Sequence, residues 1–320
     1  MKWGTRLIAV GIVLLLGACG STESGSTKTE GEQDRAKNEV INVVTTIAQI
    51  AEPLEFIGGD YIDVTSLMGP GVDPHLYNAS QGDISTLGNA DLVFYVGLNL
   101  EANMVDVFEQ INKSGTAVAV GEAIGEGSLL EDEDNPGAPD PHVWFDITLW
   151  QQALDAAVEE LKDYAPEYAD TFEANKEAYF EELEQLMTES NEKLAEILAE
   201  KRILVTAHDA FNYFGRAFDI EVVGLQGLST ESEIGVSDIQ ETIEIILEHE
   251  VPAVFIESSV NDSSIKAVIE GAAETGHEVK LGGELYSDAM GDYGTEEGTY
   301  IGMYRHNVET IYNALMGEDE

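Results

Sequence analysis

Three of the six histidines stand in settings that suit ligation. His75 closes Gly71-Val-Asp-Pro-His75 and His142 closes Pro139-Asp-Pro-His142, so the triplet Asp-Pro-His occurs twice. Proline fixes its own φ near about −65° and keeps the preceding residue extended, so each imidazole leaves a stiff turn with little freedom left to lose. A pre-set imidazole is the donor that transition-metal ions take. The neighbouring Asp73 or Asp140 can orient its turn or accept the second ring N–H. The bland alternative is two surface turns with incidental histidines, since Asp-Pro pairs favour turns anyway.

His208 follows the apolar run Ile203 to Thr206 and precedes Ala210-Phe211, where a helix should begin. Asp288 lies in Leu285-Tyr-Ser-Asp-Ala-Met290, after another strand-like run. Open α/β sheets gather their ligands at the carboxyl ends of strands. Taken alone, Asp288 reads as a helix cap; beside the three histidines it becomes a candidate ligand. Glu257, in Phe255-Ile-Glu-Ser-Ser259, ends a strand and is expected to cap or to hydrogen-bond a ligand. His249, His277 and His306 fall at helix ends or on the last helix, where a cation is favourable, and are expected outside the site. No Gly-rich phosphate loop, His-Glu-x-x-His, Gly-x-Ser-x-Gly or paired-cysteine motif is present, so the chain has no means of hydrolysing ATP.

Elements that would position these residues alternate from residue 40 onward, short β-branched runs with longer amphipathic ones, the pattern of βαβ units and a mainly parallel sheet. Strands are predicted at 40–45, 63–67, 92–96 and 116–120, with helices at 47–58, 80–88, 101–113 and 147–164. After residue 201 come strands at 203–206, 221–225, 253–256 and 279–281, and helices at 210–218, 236–249, 262–275 and 297–316. Between the two series, Pro166 to Lys201 has no further proline and no glycine. It reads as one helix, roughly 50 Å long at 1.5 Å per residue, a spine joining an N-terminal lobe (40–165) to a C-terminal lobe (202–320).

The N-terminus carries Lys2 and Arg6, then an apolar run from Leu7 to Leu16, then Gly17-Ala18-Cys19. The run is too short for the roughly 20 residues of a permanent span, so residues 1–18 read as a secretion signal. Cys19 is the chain's single cysteine, which rules out an internal disulfide and makes it the candidate lipidation site. Residues 20–39 have almost no apolar side chains, so they read as a tether with a reach of roughly 25 Å. The formal charge of −47, from 62 acidic and 15 basic residues, excludes nucleic acid as a partner and concentrates cations near the surface. Adaptation to salt or high pH would produce the same charge.

Five stretches carry a resemblance: Gly69-Pro-Gly-Val-Asp-Pro-His-Leu-Tyr77, Asp140-Pro-His-Val-Trp-Phe145, Thr206-Ala-His-Asp-Ala-Phe211, Val254-Phe-Ile-Glu-Ser-Ser259 and Leu285-Tyr-Ser-Asp-Ala-Met290. Together they resemble the cluster A-I metal-binding lipoproteins, solute-binding protein family 9, which serve manganese and zinc ABC transporters. The resemblance implies two similar (βα)4-type lobes with mainly parallel sheets, joined by one rigid helix. It implies one transported divalent ion in the cleft, with His75, His142, His208 and Asp288 as ligands. It further implies a lipid-anchored, non-enzymatic monomer on the extracytoplasmic face, delivering to a permease with a separate ATPase.

Zinc receptors of the family often carry a histidine-rich acidic insertion; the corresponding loop, residues 126–138, is acidic without histidine, which favours manganese. Many manganese receptors have glutamate where this chain has His208, and three imidazoles with one carboxylate suit zinc. The stretch from Gly71 to Asp83 looks like the manganese branch, and manganese is the favoured expectation, zinc the alternative. Readings of other classes are a metal-dependent hydrolase and a surface adhesin whose metal only stabilises the fold.

Overall fold

The computed structural model describes residues 40–113, 117–132 and 135–317. The expected signal peptide, Cys19 and the tether lie outside the described residues. Among the described residues no helix is long and apolar enough to cross a membrane.

The first half is a four-stranded parallel sheet in the order β2-β1-β3-β4, formed by β1 (Ile41–Thr45), β2 (Ile62–Ser66), β3 (Leu92–Tyr95) and β4 (Ala117–Ala119). Central β1 reads Ile-Asn-Val-Val-Thr and is buried at four of its five positions, as a strand covered on both faces must be. Edge strand β2 alternates between covered and exposed residues. Helices α1 (Ala48–Gly58), α2 (Gln81–Asn89), α3 (Val105–Ile111) and α4 (Ile147–Tyr164) complete this half. Asp146 caps α4, its carboxylate accepting the Thr148 and Leu149 amides at 3.0 and 3.2 Å, which satisfies two of the helix's four free donors. The expected helix at 101–113 starts later, because Glu101 turns back: its carboxylate accepts the Val96 and Gly97 amides and the Thr46 hydroxyl.

The second half repeats the plan with β5 (Ile203–His208), β6 (Glu221–Gln226), β7 (Ala253–Glu257) and β8 (Lys280–Leu285), and helices α6 (Asn212–Phe218), α7 (Val236–Glu248) and α8 (Ser263–Glu274). Parallel pairs β5-β6 and β7-β8 form two ladders, with β5 lying beside β7. The spatial order β6-β5-β7-β8 thus matches β2-β1-β3-β4, which is the two-similar-halves plan expected from the sequence. At the carboxyl ends of β5 and β7 a side chain links the two strands: Glu257 Oε1 accepts the His208 amide at 2.8 Å.

The connecting helix α5 (Ala169–Leu194) follows a 3-10 turn at Pro166–Tyr168 and precedes another at Ala199–Lys201. Its 26 residues span about 39 Å, less than the unbroken 166–201 helix read from the sequence. The end has a cause: Ile197 turns into the core, and the Arg202 guanidinium takes the Ala195 and Ile197 carbonyls. Phe172, Tyr179, Leu183, Leu186 and Leu194 form its buried stripe. It packs on α1 and α4 of the first half and on the final helix α9 (Tyr300–Met316).

One hydrophobic core runs through both halves, from Val43 and Phe94 to Phe214, Tyr304 and Leu315, and a smaller one lies under the outer face of the second half. Phe145 stacks on Phe211 with centroids 4.5 Å apart, so the halves meet through packed aromatics behind the strand ends.

Candidate metal centre

Four side chains converge at the carboxyl ends of the two sheets. His75 comes from the loop after β2 and His142 from the loop after β4, while His208 is the last residue of β5 and Asp288 stands three residues past β8. Each donor therefore sits where an open α/β sheet leaves its crevice.

The repeated triplet builds the same turn twice. Asp73 Oδ1 accepts the His75 amide at 2.9 Å, and Asp140 Oδ1 accepts the His142 amide at 2.9 Å. Beyond the amide, the two carboxylates are used differently. Asp140 Oδ1 also lies 2.8 Å from His142 Nδ1, fixing the ring so that Nε2 faces the site. Asp73 Oδ2 instead accepts the Thr230 hydroxyl at 2.6 Å, a bond that crosses the mouth to the other half. Asn103 adds to this side, its Nδ2 donating to the His75 carbonyl and to Glu231.

His208 is oriented by Glu257, whose Oε2 lies 2.5 Å from His208 Nδ1 while Oε1 holds the amide. The expectation that Glu257 would hydrogen-bond a ligand is thereby met. His249 follows α7, His277 faces the Val251 carbonyl, and His306 faces the Glu284 carbonyl; none of these reaches the centre.

His75 Nε2 and His142 Nε2 are 3.3 Å apart. Asp288 presents both oxygens: Oδ1 lies 3.4 Å from His142 Nε2, and Oδ2 lies 3.3 Å from His208 Nε2 and 3.7 Å from His75 Nε2. One donor atom from each of the four residues falls within 4.8 Å of the others, and all four residues are buried. A tetrahedral ion with bonds of about 2.0–2.1 Å separates its donors by about 3.3–3.4 Å, so the spacing fits a first-row cation. Neither Asp288 oxygen nor His208 Nε2 accepts or donates an aligned hydrogen bond within the protein. Buried polar atoms left without partners are costly; a cation would satisfy them together.

Charge follows the same geometry. Burial alone would lower the His142 pKa, but Asp140 and Asp288 outweigh it and hold the ring up to about 9. His208 is likewise carried well above the imidazole range, burial being outweighed by Glu257 and Asp288. His75, with burial dominant and two charged imidazoles facing it, drops to about 3. Burial would raise Asp288, yet His208 and His142 hold it well below the usual carboxylate range.

Two further residues act on the site without having been read from the sequence. The Ser287 carbonyl, one bond before Asp288, accepts Gln49 Nε2 from α1 and Trp144 Nε1, each at 3.1 Å. Trp144 lay inside a stretch used for the resemblance, but nothing local to either side chain announces a partner more than a hundred residues away.

Matched α/β halves, a bridging helix and a buried three-histidine, one-carboxylate cluster at the strand ends define a helix-bridged binding protein with a cation-sized centre. The family model described as zinc-uptake complex component A, periplasmic, matches residues 43–314, and the chain belongs to this family. It is 46% identical over 98% of its length to the manganese-binding lipoprotein MntA of Bacillus subtilis (strain 168), covering all of that protein. It is 45% identical over 91% of its length to the zinc-binding protein TroA of Treponema pallidum (strain Nichols), covering 94% of it. The solved structure of periplasmic TroA from Treponema pallidum superposes with a TM-score of 0.84 at 46% identity, covering 87% of this chain and 99% of that one.

Proposed function

We propose that this chain is the extracytoplasmic receptor of an ABC importer and carries one divalent transition-metal ion, manganese by preference, on His75, His142, His208 and Asp288. The observation that carries the reading is the pair of unpartnered Asp288 oxygens facing three imidazole nitrogens at 3.3–3.7 Å. Relatives named for manganese and for zinc are almost equally similar, so identity does not choose the ion. The two-oxygen bite of Asp288 supports manganese, because it offers five donors from four residues, whereas a single carboxylate oxygen with three imidazoles would suit zinc. The ion is cargo, and all four residues that would hold it are buried, away from bulk water; this supports a receptor rather than a hydrolase.

The reading extends to a secretion signal at 1–18, a lipidated Cys19, a tether to residue 39, lobes at 40–165 and 202–320 and a connecting segment at 166–201. The receptor works as a monomer held at the membrane by its lipid and hands its ion to a permease served by a separate ATPase. The relatives' names as lipoproteins support this placement.

The test is elemental analysis of protein purified without added metal, with manganese and zinc then competed under controlled free-ion conditions. One ion per chain, lost in His75→Ala, and an unchanged circular-dichroism spectrum after chelation are expected. Native zinc together with normal manganese import in a deletion strain would overturn the metal preference. Collapse on chelation would favour a structural metal, and ester or peptide turnover abolished by His75→Ala would favour the hydrolase.

A further inference from the structure

Asp288 must hold an unusual pose to serve as a five-donor centre's carboxylate: both oxygens face inward, each with an imidazole nitrogen at 3.3–3.4 Å. A carboxylate on a loop is free to rotate until one oxygen leaves the ion, so something must fix the peptide that carries it. The Ser287 carbonyl is that point of attachment, with both acceptor positions taken by donors from the opposite half, Gln49 Nε2 and Trp144 Nε1.

Both donors are themselves locked. Gln49 and Trp144 have no solvent exposure, and the Trp144 carbonyl accepts the Tyr300 hydroxyl at 2.6 Å. The Trp144 ring also meets the His142 ring edge-on at 5.3 Å, so one side chain sets the spacing between a histidine donor and the loop of the carboxylate. Gln49 Oε1 is buried without a partner. An apolar side chain would fill that place without stranding an oxygen, so the use of the residue lies in its Nε2 bond.

We propose that Gln49 and Trp144 are positioning residues that set the coordination number of the bound ion, by clamping the Ser287 carbonyl so that Asp288 binds through both oxygens. Release of the clamp lets Asp288 swing to one-oxygen binding, which leaves a four-donor site fit for zinc and poor for manganese. The inference rests on the four-residue centre described above.

The test uses full-length wild type, Gln49→Leu and Trp144→Phe, with manganese(II), zinc(II) and cobalt(II) as the probes. Manganese affinity is expected to fall about 10- to 100-fold in each variant, the range for losing support behind a ligand, while zinc affinity holds. The visible spectrum of the cobalt-loaded protein is expected to change from five-coordinate in the wild type to four-coordinate in Gln49→Leu. That variant keeps the buried volume and carries the test if Trp144→Phe fails to fold. An unchanged manganese-to-zinc ratio, an equal loss of both ions with lowered thermal stability, or a wild-type cobalt spectrum already four-coordinate would overturn the clamp. A wild type that binds none of the three ions would overturn the centre itself, and the inference with it.

Discussion

A buried imidazole held protonated by carboxylates is a site already carrying positive charge. In the metal-free centre His142 and His208 are the charged pair, the first held up to about 9 and the second well above its usual range, while His75 falls to about 3 and stays neutral. One divalent cation therefore replaces two protons with little change in the charge the carboxylates see. The sign is fixed: protons compete with the ion below these pKa values, so affinity weakens as pH falls from about 9 and strengthens as it rises toward that value. Calorimetric titration in buffers of different ionisation enthalpy should give close to two protons released per ion at neutral pH; release of none would contradict the assigned charges. At this scale the sequence was unusually readable. Asp-Pro-His announces itself because proline and aspartate constrain the turn locally, and Asp73 and Asp140 do close it by accepting the histidine amides. Thr230, Gln49 and Trp144 were not readable, because their partners are 157, 238 and 143 residues away and a lone polar side chain carries no mark of a distant acceptor.

Elements supply the distances that residues cannot. Strand β6 passes so close to the corner after His208 that a Cβ on Gly224 would lie 2.6 Å from Asp209 Cα and 2.7 Å from its nitrogen. Both are backbone atoms and cannot swing aside, so Gly224→Ala must push β6 from the end of β5. Overpacking of this kind costs about 1–3 kcal/mol, and the displaced corner carries His208. The variant is expected to lose both thermal stability and metal affinity; normal affinity with only lowered stability would show that the corner yields without moving the ligand. Element boundaries were legible where local chemistry punctuates them, as at α4, which begins after the Asp146 cap and ends before Pro166. They were not where packing decides. The run Gly282-Gly283 reads as the end of a strand, yet β8 continues through it to Leu285. These glycines serve close packing, since a Cβ on Gly282 would meet the Phe255 ring at 2.6 Å and one on Gly283 would meet Thr310 at 2.6 Å.

Across the whole molecule the two halves are joined very unequally. At the back, Phe145, Phe211, Phe214, Tyr300 and Tyr304 belong to one shared core, and the Tyr300 and Tyr304 hydroxyls donate to the Trp144 and Phe145 carbonyls beside the His142 turn. At the mouth, Thr230 to Asp73 and Asn103 to Glu231 bridge the gap with single polar bonds. With His75, the most exposed donor, only 3% accessible, no ion enters or leaves the closed form without part of the wall giving way. The Thr230–Asp73 bond is one hydroxyl-to-carboxylate link in that wall, two residues from His75, and it touches no donor atom. How long an ion stays is thus separable from how tightly it is held. Thr230→Val is expected to speed loading and unloading together in stopped-flow exchange against a chelator, with the equilibrium constant little changed; slower loading, or an affinity loss with unchanged release, would contradict this. A receptor built so meets two demands that usually oppose each other: it can hold an ion firmly from a dilute source, yet its dwell time can be shortened by whatever loosens one hydroxyl at the rim.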